Sequence, residues 1–329
     1  MSITVIKPGL QSTFQDLGRQ GHQHLGVSVS GAMDARAHRL ANMLVGNTED
    51  HATLELTLSG PTLQFNSAAC IAISGAMLSP TVNAQPVPNN RPLIVKPGDI
   101  LAFEARTKGL RAYLAVFGGF DIAPVMGSRS TFLRGNFGGL EGRALKKDDQ
   151  LRLIASLSGR DLDMLSDELW KIKVYLPAIL GLTLRPEIRV MAGPHAKRFT
   201  DASLAQFFDS DYQVSPQSER MGYRLEGPTL ELESTTQIVS EVTSFGTIQV
   251  PPDGKPIILM ADRQTTGGYV KIAHVATIDL PVVAQIMPGE RLRFQDITLA
   301  QAQQLDNQRE QAFGRLYQGL EPLRERLAL

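Results

Sequence analysis

Short runs of apolar residues, separated by glycine and proline, dominate the chain. From residue 54 to residue 153 the punctuation recurs about every eight to twelve positions, and the same pattern resumes at Ile188 and continues to Phe294. Such spacing is typical of β-barrels and β-sandwiches. Residues 157–184 interrupt it. The pattern therefore predicts a mostly β protein with a few helices, built as two β-rich halves, without choosing between barrel and sandwich.

The clearest helix lies in the N-terminal half, where one apolar stripe follows helical spacing. Its members are Ala37, Leu40, Ala41, Leu44 and Val45. Asp34 is placed to cap this helix, and N-capping is also the alternative explanation for Ser30. On this assignment Arg36, His38 and Arg39 lie mostly on the solvated side.

Two further helices and the domain boundaries follow from the same reading. Residues 202–208 predict a short helix, and Thr298 caps a C-terminal helix that continues to about Gln311. We place an N-terminal domain at residues 1–155, a linker at 156–187 and a C-terminal domain at 188–329.

The two halves contain short matching strings. Residues 60–65 resemble 227–232, and residues 96–103 resemble 287–294. Their separations differ, and turn chemistry alone can produce such pairs, so an internal duplication is only one of two explanations.

The stretch 246–275 carries the strongest candidate site. It predicts a strand, a turn at 251–254, a second strand at 257–260 and then a polar loop at 262–269. The loop combines a carboxylate, a guanidinium, an amide, hydroxyls and a phenol with two glycines. A simple turn does not need this chemistry, so the loop is predicted to bind a ligand.

Two other loops are secondary candidates. Residues 15–26 hold Asp16, Arg19, His22 and His24, but two histidines without a third ligand at a known spacing are weak evidence, and we predict no metal site. The loop 127–143 contains three arginines that could hold an anion, although solvated arginines are commoner. Its arginines are Arg129, Arg134 and Arg143.

Composition excludes several classes of protein. The 33 basic and 33 acidic residues balance, which argues against a nucleic-acid partner. No apolar segment reaches the roughly 18 residues of a membrane span, and the chain opens without a signal-peptide pattern, so we expect a soluble cytoplasmic protein with no membrane partner. Cys70 is the only cysteine and lies in an apolar run, which predicts a buried structural thiol.

Familiar catalytic motifs are missing from the sequence. It contains no phosphate loop, dinucleotide-binding glycine motif, His-Glu-x-x-His motif or nucleophile elbow. It also lacks the Ala-Met-Lys-Met string that carries biotin. A self-sufficient ATPase, dehydrogenase or triad hydrolase is therefore not expected.

Several segments together resemble the family of 5-oxoprolinase C subunits, also known as KipA-like proteins, allophanate hydrolase subunit 2 or biotin-dependent carboxyltransferase A/B domains. The resemblance runs from about Phe14 to Phe294, and one departure is Val270, where the family usually has proline. The segments that carry it are 13–19, Ser-Gly-Ala-Met-Asp at 30–34, 41–47, 113–119, 127–131, 218–228 and the loop 262–269.

The resemblance implies a fold and an activity. It implies a carboxyltransferase-like subdomain A before the linker and a cyclophilin-like barrel, subdomain B, after it. It also implies one component of an ATP-dependent 5-oxoprolinase that cleaves 5-oxo-L-proline to L-glutamate. The implied partners are the KipI-like B subunit and the LamB/YcsF-like A subunit of that enzyme, with ATP and Mg²⁺ used by the complex and no biotin attached to this chain.

That activity suggests roles for particular residues. A lactam amide is a poor electrophile, so its cleavage needs cations, hydrogen-bond donors and a carboxylate that handles protons. By hypothesis the catalytic residues are Asp262, Arg220 and Tyr269. The substrate-binding residues are Arg19, Ser30, Arg129, Arg224, Gln264, Thr265, Thr266, Gly267 and Gly268. The alternatives are that Asp262 pairs with Arg263 at the surface, and that Arg220 and Arg224 form structural ion pairs.

Two other functions fit the same family. The chain could be the carboxyltransferase component of a urea carboxylase, which moves a carboxyl group from biotin on another protein. It could also be a KipA-like regulatory protein that antagonises a kinase inhibitor.

Overall fold

The computed structural model describes residues 1–234 and 238–328 and confirms a mostly β protein. By contacts the chain forms two compact units. Unit 1 comprises Met1–Arg19, Asp34–Leu182 and Glu310–Leu329, and unit 2 comprises Gln20–Met33 and Thr183–Arg309. The domain boundaries inferred from the sequence, at 155 and 188, stay a prediction.

Unit 1 contains eleven of the strands. They are β1 Ser2–Lys7, β2 Gln11–Gln15, β3 Thr53–Thr57, β4 Thr62–Phe65, β5 Ala69–Met77, β6 Pro80–Val82, β7 Gln85–Pro86, β8 Leu93–Val95, β9 Ile100–Phe103, β10 Lys108–Val116 and β11 Gln150–Arg152. They form a six-stranded sheet in the order β11-β1-β4-β9-β6-β7 and a five-stranded sheet in the order β2-β3-β10-β5-β8. Buried residues of both sheets share one apolar core, for example Val5 and Phe65 of the first sheet with Leu56 and Ile73 of the second.

Helix α1, Ala35–Leu44, confirms the predicted stripe and its cap, because the Asp34 side chain accepts a hydrogen bond from the Ala37 amide. The prediction for its polar face is wrong at two positions: Arg36 and His38 are buried. Arg36 donates to the Gly181 carbonyl at 2.7 Å and pairs with Asp34, while His38 contacts Thr53 and the Glu49 carbonyl. Hydrogen bonding compensates the cost of burying these polar groups.

The predicted interruption of the β pattern is confirmed. Helix α2, Leu162–Lys171, lies there with Asp161 as its cap, and a single 3₁₀ turn follows at Ala178–Leu180. The predicted burial of Cys70 is also confirmed; the residue lies on β5 in the unit 1 core.

Among its described residues, unit 2 contains nine strands and two short α-helices. The strands are β12 Glu187–Ala192, β13 Tyr212–Val214, β14 Gly222–Glu226, β15 Glu241–Val242, β16 Thr247–Val250, β17 Ile257–Leu259, β18 Thr266–Gly267, β19 Val270–Val275 and β20 Arg291–Asp296. The helices are α3 Asp201–Asp209, which confirms the predicted short helix, and α4 Leu280–Val283.

Seven of these strands close into a barrel in the order β12-β19-β16-β17-β14-β13-β20. The closing pair, β12 and β20, is parallel, with Glu187 opposite Arg293. Buried and exposed positions alternate along β14 and β20, so that Tyr223, Leu225 and Phe294 face the barrel core. The predicted β-rich C-terminal half is therefore a barrel and not a sandwich.

Helix α5, Leu299–Gly319, begins at the predicted cap but extends well beyond the predicted end near Gln311. Thr298 accepts a hydrogen bond from the Gln301 amide, and the Gln301 side chain accepts one from the Thr298 amide, which is a reciprocal capping arrangement. Helix α6, Glu321–Ala328, follows with Pro322 in its first turn.

Candidate functional site

The loop that the sequence singles out is held by regular structure at both ends. The predicted hairpin is confirmed, since β16 and β17 pair antiparallel, and the loop leaves the end of β17. Within it, β18 pairs with β15 as a separate two-stranded sheet, and β19 begins directly afterwards. The polar residues are therefore fixed relative to the barrel.

Asp262 is buried and bound to Arg220. The Arg220 Nε and Nη2 atoms donate to the two carboxylate oxygens at 2.9 and 3.1 Å, and only 5% of each side chain is exposed. The Asp262 amide also donates to the Arg220 carbonyl at 2.8 Å. The alternative in which Asp262 pairs with Arg263 at the surface is wrong, whereas the predicted catalytic roles of Asp262 and Arg220 stay predictions.

The Ser30 segment adjoins this pair within unit 2. Arg220 donates to the Gly31 carbonyl at 2.6 Å, and the Ser28 hydroxyl donates to the Arg263 carbonyl at 3.0 Å. Ser30 adopts φ of 57°, a region unfavourable for a side chain, and its buried hydroxyl has no partner among the described residues. An unsatisfied hydroxyl on strained backbone is the kind of group that functional sites retain. Its predicted contact with substrate stays a prediction.

The rest of the loop is more open. Gln264, Thr266 and Gly268 are exposed, and Thr265 is half-buried. The carbonyl of Gln264 accepts from the Thr243 hydroxyl, and that of Thr265 accepts from the Thr243 amide at 2.9 Å. These contacts fix the backbone and leave the loop's side chains available to a ligand.

Gly267 is buried where space is limited. A Cβ at this position would lie 2.9 Å from the Gln264 amide nitrogen and 3.3 Å from the Gln249 side-chain oxygen. A larger residue here would require the end of the exposed Gln264 side chain to move.

A pocket of about 780 Å³ contains the end of the loop. Tyr269, which is 43% exposed, and Gly268 line it, as does Val270 at the position where the resembled family usually has proline. The other lining residues are 229–232, Ile238, 250–252 and Gly254, which are mostly apolar and include one charged residue, Glu231. An apolar pocket with a phenol and a carboxylate at its wall suits a small organic ligand.

Arg224 belongs to a different pocket, of about 250 Å³, that it lines with Glu226, Asp253 and Lys255. Its side chain is exposed and forms no salt bridge with any described residue, so its alternative as a structural ion pair is wrong. The structure does not bring Arg224 into the pocket of Tyr269. Its predicted role in binding an anion stays a prediction.

Arg19 and Arg129 lie in unit 1, around the buried carboxylate of Asp16, which belongs to the loop 15–26 that the sequence offers as a secondary candidate. Asp16 accepts hydrogen bonds from the Gly18 and Arg129 amides at 2.8 and 2.5 Å and from two serine hydroxyls. Arg19 is buried, donates to the Ser130 carbonyl and lies 4.9 Å from the centre of the Phe137 ring. The Arg129 guanidinium donates to the Ile122 carbonyl at 3.0 Å. Asp16 therefore fixes the backbone at Arg129, and the neighbouring Ser130 carbonyl holds Arg19.

The sequence did not reveal one buried lysine, Lys271 of β19. Lys271 donates to the Glu241 carboxylate at 2.8 Å and to the Val242 carbonyl at 2.9 Å, and the His195 ring lies 3.7 Å from the same carboxylate. Hydrogen bonding by Lys271 lowers the pKa of Glu241. The sequence signal was weak, because a lysine within an apolar strand is read as facing solvent.

Within residues 1–234 and 238–328, no group of three His, Cys, Asp or Glu side chains is arranged to hold a metal ion. His22 precedes a 3₁₀ turn at Gln23–Leu25 that contains His24, and neither histidine is fully buried. No helix of the described chain is both long and apolar enough to cross a membrane.

The barrel, the second β-rich unit and the loop at the end of β17 define a carboxyltransferase-type domain. The chain belongs to the family described as carboxyltransferase domain, subdomain A and B, whose model matches residues 25–296.

Among its relatives, the 5-oxoprolinase C subunit of Haemophilus influenzae is 36% identical over 94% of this chain and 95% of that protein. The Escherichia coli protein of the same name is 38% identical over 91% and 93%, respectively. The crystal structure of the K. lactis urea amidolyase superposes with a TM-score of 0.87 at 35% identity, covering 96% of this chain and 20% of that one.

Proposed function

We propose that this chain is the C subunit of an ATP-dependent 5-oxoprolinase, which cleaves 5-oxo-L-proline to L-glutamate together with a KipI-like B subunit and a LamB/YcsF-like A subunit. The observation that carries the proposal is the similarity to two 5-oxoprolinase C subunits along nearly their whole length, 95% and 93%. The relatives are single subunits of the same extent as this chain, so the activity is assigned to the assembly.

The chemistry of the reaction sets what this chain has to provide. In the complex, ATP with Mg²⁺ supplies the phosphoryl group that activates the amide oxygen of the lactam. The Tyr269 phenol and the Gly268 backbone bind a small ligand at the pocket, and Gln264, Thr265 and Thr266 orient it. Asp262, held by Arg220 through two hydrogen bonds, accepts a proton from the attacking water.

In the same proposal, Arg19, Arg129 and Arg224 bind anionic groups. Arg129 is held by Asp16 and the Ile122 carbonyl, and Arg19 by the Ser130 carbonyl, so their positions are established before any ligand arrives. A pre-positioned guanidinium stabilises phosphate or carboxylate charge without reorganising. Ser30 contributes its unsatisfied hydroxyl as a further donor.

A second candidate function is carboxyl transfer of the urea carboxylase type, favoured by the similarity to the K. lactis urea amidolyase. This chain has no biotin-bearing string of its own. A carboxyltransferase would therefore receive carboxylated biotin from a separate carrier protein, and the apolar pocket beside Tyr269 is large enough for a bicyclic ring.

Reconstitution separates the two functions. The chain is purified with its two partner proteins and assayed for glutamate release from 5-oxo-L-proline with and without ATP, and then with each protein omitted in turn. Turnover only with all three proteins and ATP supports the leading proposal. A parallel reaction offers the chain a carboxylated biotin carrier and urea. Carboxyl transfer there, with no glutamate release in the first assay, would favour the second function.

A further inference from the structure

Arg263 is a buried cation with an unused guanidinium. Only 7% of the residue is exposed, and within the described chain its side chain makes no hydrogen bond or salt bridge. Its Nε is sealed from solvent without a partner. Buried arginines are normally paired, because an isolated charge loses its hydration without compensation.

The neighbouring carboxylate does not supply the missing partner. Both oxygens of Asp262 accept hydrogen bonds from Arg220, and neither forms a hydrogen bond with Arg263. Burial lowers the pKa of Arg263 to about 10, partly offset by the charge of Asp262. The side chain is therefore still protonated at neutral pH.

The backbone of Arg263 is fixed while its side chain is not. Its amide donates to the Met260 carbonyl at 3.2 Å, and its carbonyl accepts from Ser28 at 3.0 Å. A residue with a fixed backbone and unused donors is pre-organised for a ligand that arrives later.

Apart from Asp262, whose carboxylate binds Arg220, the groups near Arg263 that bear on its charge include His274. Burial, followed by the positive charge of Arg263, lowers the pKa of His274. The His274 Nδ1 atom lies 3.5 Å from the hydroxyls of both Ser244 and Thr247. A guanidinium, an imidazole and two hydroxyls provide hydrogen-bond donors and no negative charge.

We propose that Arg263 binds an oxyanion of a small-molecule substrate, a carboxylate or a phosphate group, with His274 close enough to respond to the bound charge. The two Nη atoms of a guanidinium match the two oxygens of such a group. The inference rests on the proposed function, in which 5-oxo-L-proline carries a carboxylate and its activated form a phosphate.

The test measures binding to the full chain by isothermal titration and by the shift in melting temperature. The probes are 5-oxo-L-proline, its uncharged carboxamide and inorganic phosphate. Arg263→Gln removes the charge, and Arg291→Gln on the exposed side of β20 is the matched control. We expect wild-type and Arg291→Gln proteins to bind one of the two anions alike, and Arg263→Gln to bind it about 10- to 100-fold more weakly.

Two further readouts exclude a purely structural role. Without ligand, Arg263→Gln should melt at or above the wild-type temperature, because an uncompensated buried charge has been removed. In wild-type protein the anion should also raise the NMR-measured pKa of His274, and in Arg263→Gln it should not.

The outcomes assign the anion or overturn the inference. Selective binding of 5-oxo-L-proline over its carboxamide identifies a carboxylate, and binding of phosphate alone identifies a phosphate. No binding of either anion by wild-type protein, or equal binding by Arg263→Gln, overturns it. If Arg263→Gln does not fold, Arg263→Met, which removes the charge and keeps a long side chain, replaces it, and unchanged affinity there has the same meaning. Because binding is measured without partners, a reconstituted complex that fails to turn over leaves this result intact.

Discussion

The Asp262 carboxylate pairs with Arg220 and is also the proposed proton acceptor, so a substitution there affects both roles at once. With Arg220 bound to both of its oxygens in a buried setting, Asp262→Asn leaves a buried cation without its counter-charge. Breaking a buried pair from one side costs about 3–5 kcal/mol. We therefore expect Asp262→Asn to lower both the melting temperature and the activity of the complex, so loss of activity alone does not demonstrate catalysis.

A double substitution separates the two contributions. In Asp262→Asn with Arg220→Gln the charges are removed together, and most of the lost stability should return. If Asp262 transfers protons, turnover of the reconstituted complex should remain roughly 10²- to 10⁴-fold below wild type despite the recovered melting temperature. Recovery of both quantities would leave Asp262 with a structural role only.

Cys70 should be chemically silent in the folded protein. Burial raises the pKa of its thiol to about 12, and the thiolate is the reactive form. We expect no labelling by a thiol reagent such as DTNB at pH 8 under native conditions and one equivalent per chain in denaturant. Prompt labelling of native protein would contradict the burial of this side chain.

At the scale of elements, His38 shows what the pattern of α1 could not predict. The apolar stripe identified the helix and its inner face, because burial of Leu40 and Leu44 follows from hydrophobicity. Burial of Arg36 and His38 depends instead on acceptors supplied by residues far along the chain, such as the Gly181 carbonyl. No local pattern contains those partners.

The burial of His38 also predicts a dependence of stability on pH. Burial lowers its pKa from the ordinary value of 6.5, so the folded state disfavours the protonated ring that the unfolded chain accepts. The contribution of His38 to stability is complete above pH 6.5 and is lost as the pH falls below it. Between pH 7.5 and 5.5, wild-type protein should lose more unfolding free energy than His38→Gln, measured by urea denaturation. Equal losses would show that another group dominates.

Asp16 connects two segments of unit 1, so its substitution should affect the stability of the connected structure. Asp16 joins the end of β2 to residues 128–130 by accepting from two backbone amides and two hydroxyls. Asp16→Asn converts one acceptor oxygen into a donor, which cannot satisfy these four partners. We expect a loss of about 2–3 kcal/mol in unfolding free energy and reduced activity of the complex. Asp121→Asn, at an exposed position in unit 1, is the control and should match wild type.

The matching strings 96–103 and 287–294 form the same local structure. Each has a glycine at positive φ, 93° at Gly98 and 90° at Gly289, followed by an acidic side chain that accepts from the amide three residues earlier. Each then enters a strand, β9 or β20. Turn chemistry therefore explains this resemblance fully. The matching strings identify two turns of the same kind and are no evidence of a duplication.

At the scale of the whole molecule, the sequence predicted β structure but not its closure. Apolar alternation identified strands such as β16 and β17, whose partners are close in sequence. The barrel is closed by β12 and β20, which pair across about a hundred residues, and the pattern does not encode that contact. The site shows the same limit: Asp262 and Tyr269 were found within one loop, whereas the pairing of Asp262 with Arg220 required the fold.

A stable partner is expected for a chain whose relatives are named as subunits. We predict a complex with the KipI-like protein that buries at least about 1,200 Å² of total surface, as stable protein pairs do. Co-purified proteins should elute together from a sizing column at micromolar concentration and give one sharp boundary in sedimentation. Separate elution of both monodisperse proteins would count against the pairing.

The isolated chain should hydrolyse neither ATP nor 5-oxo-L-proline. Its sequence has no phosphate loop, so we expect the binding and hydrolysis of ATP to depend on the partners. Purified chain should release no phosphate from ATP and no glutamate from 5-oxo-L-proline above a no-protein blank. Addition of both partners should start both reactions in equal amounts, while the Asp262→Asn/Arg220→Gln chain should assemble but turn over slowly. Sustained hydrolysis by the chain alone, surviving a second purification step, would place the catalytic machinery within this one protein.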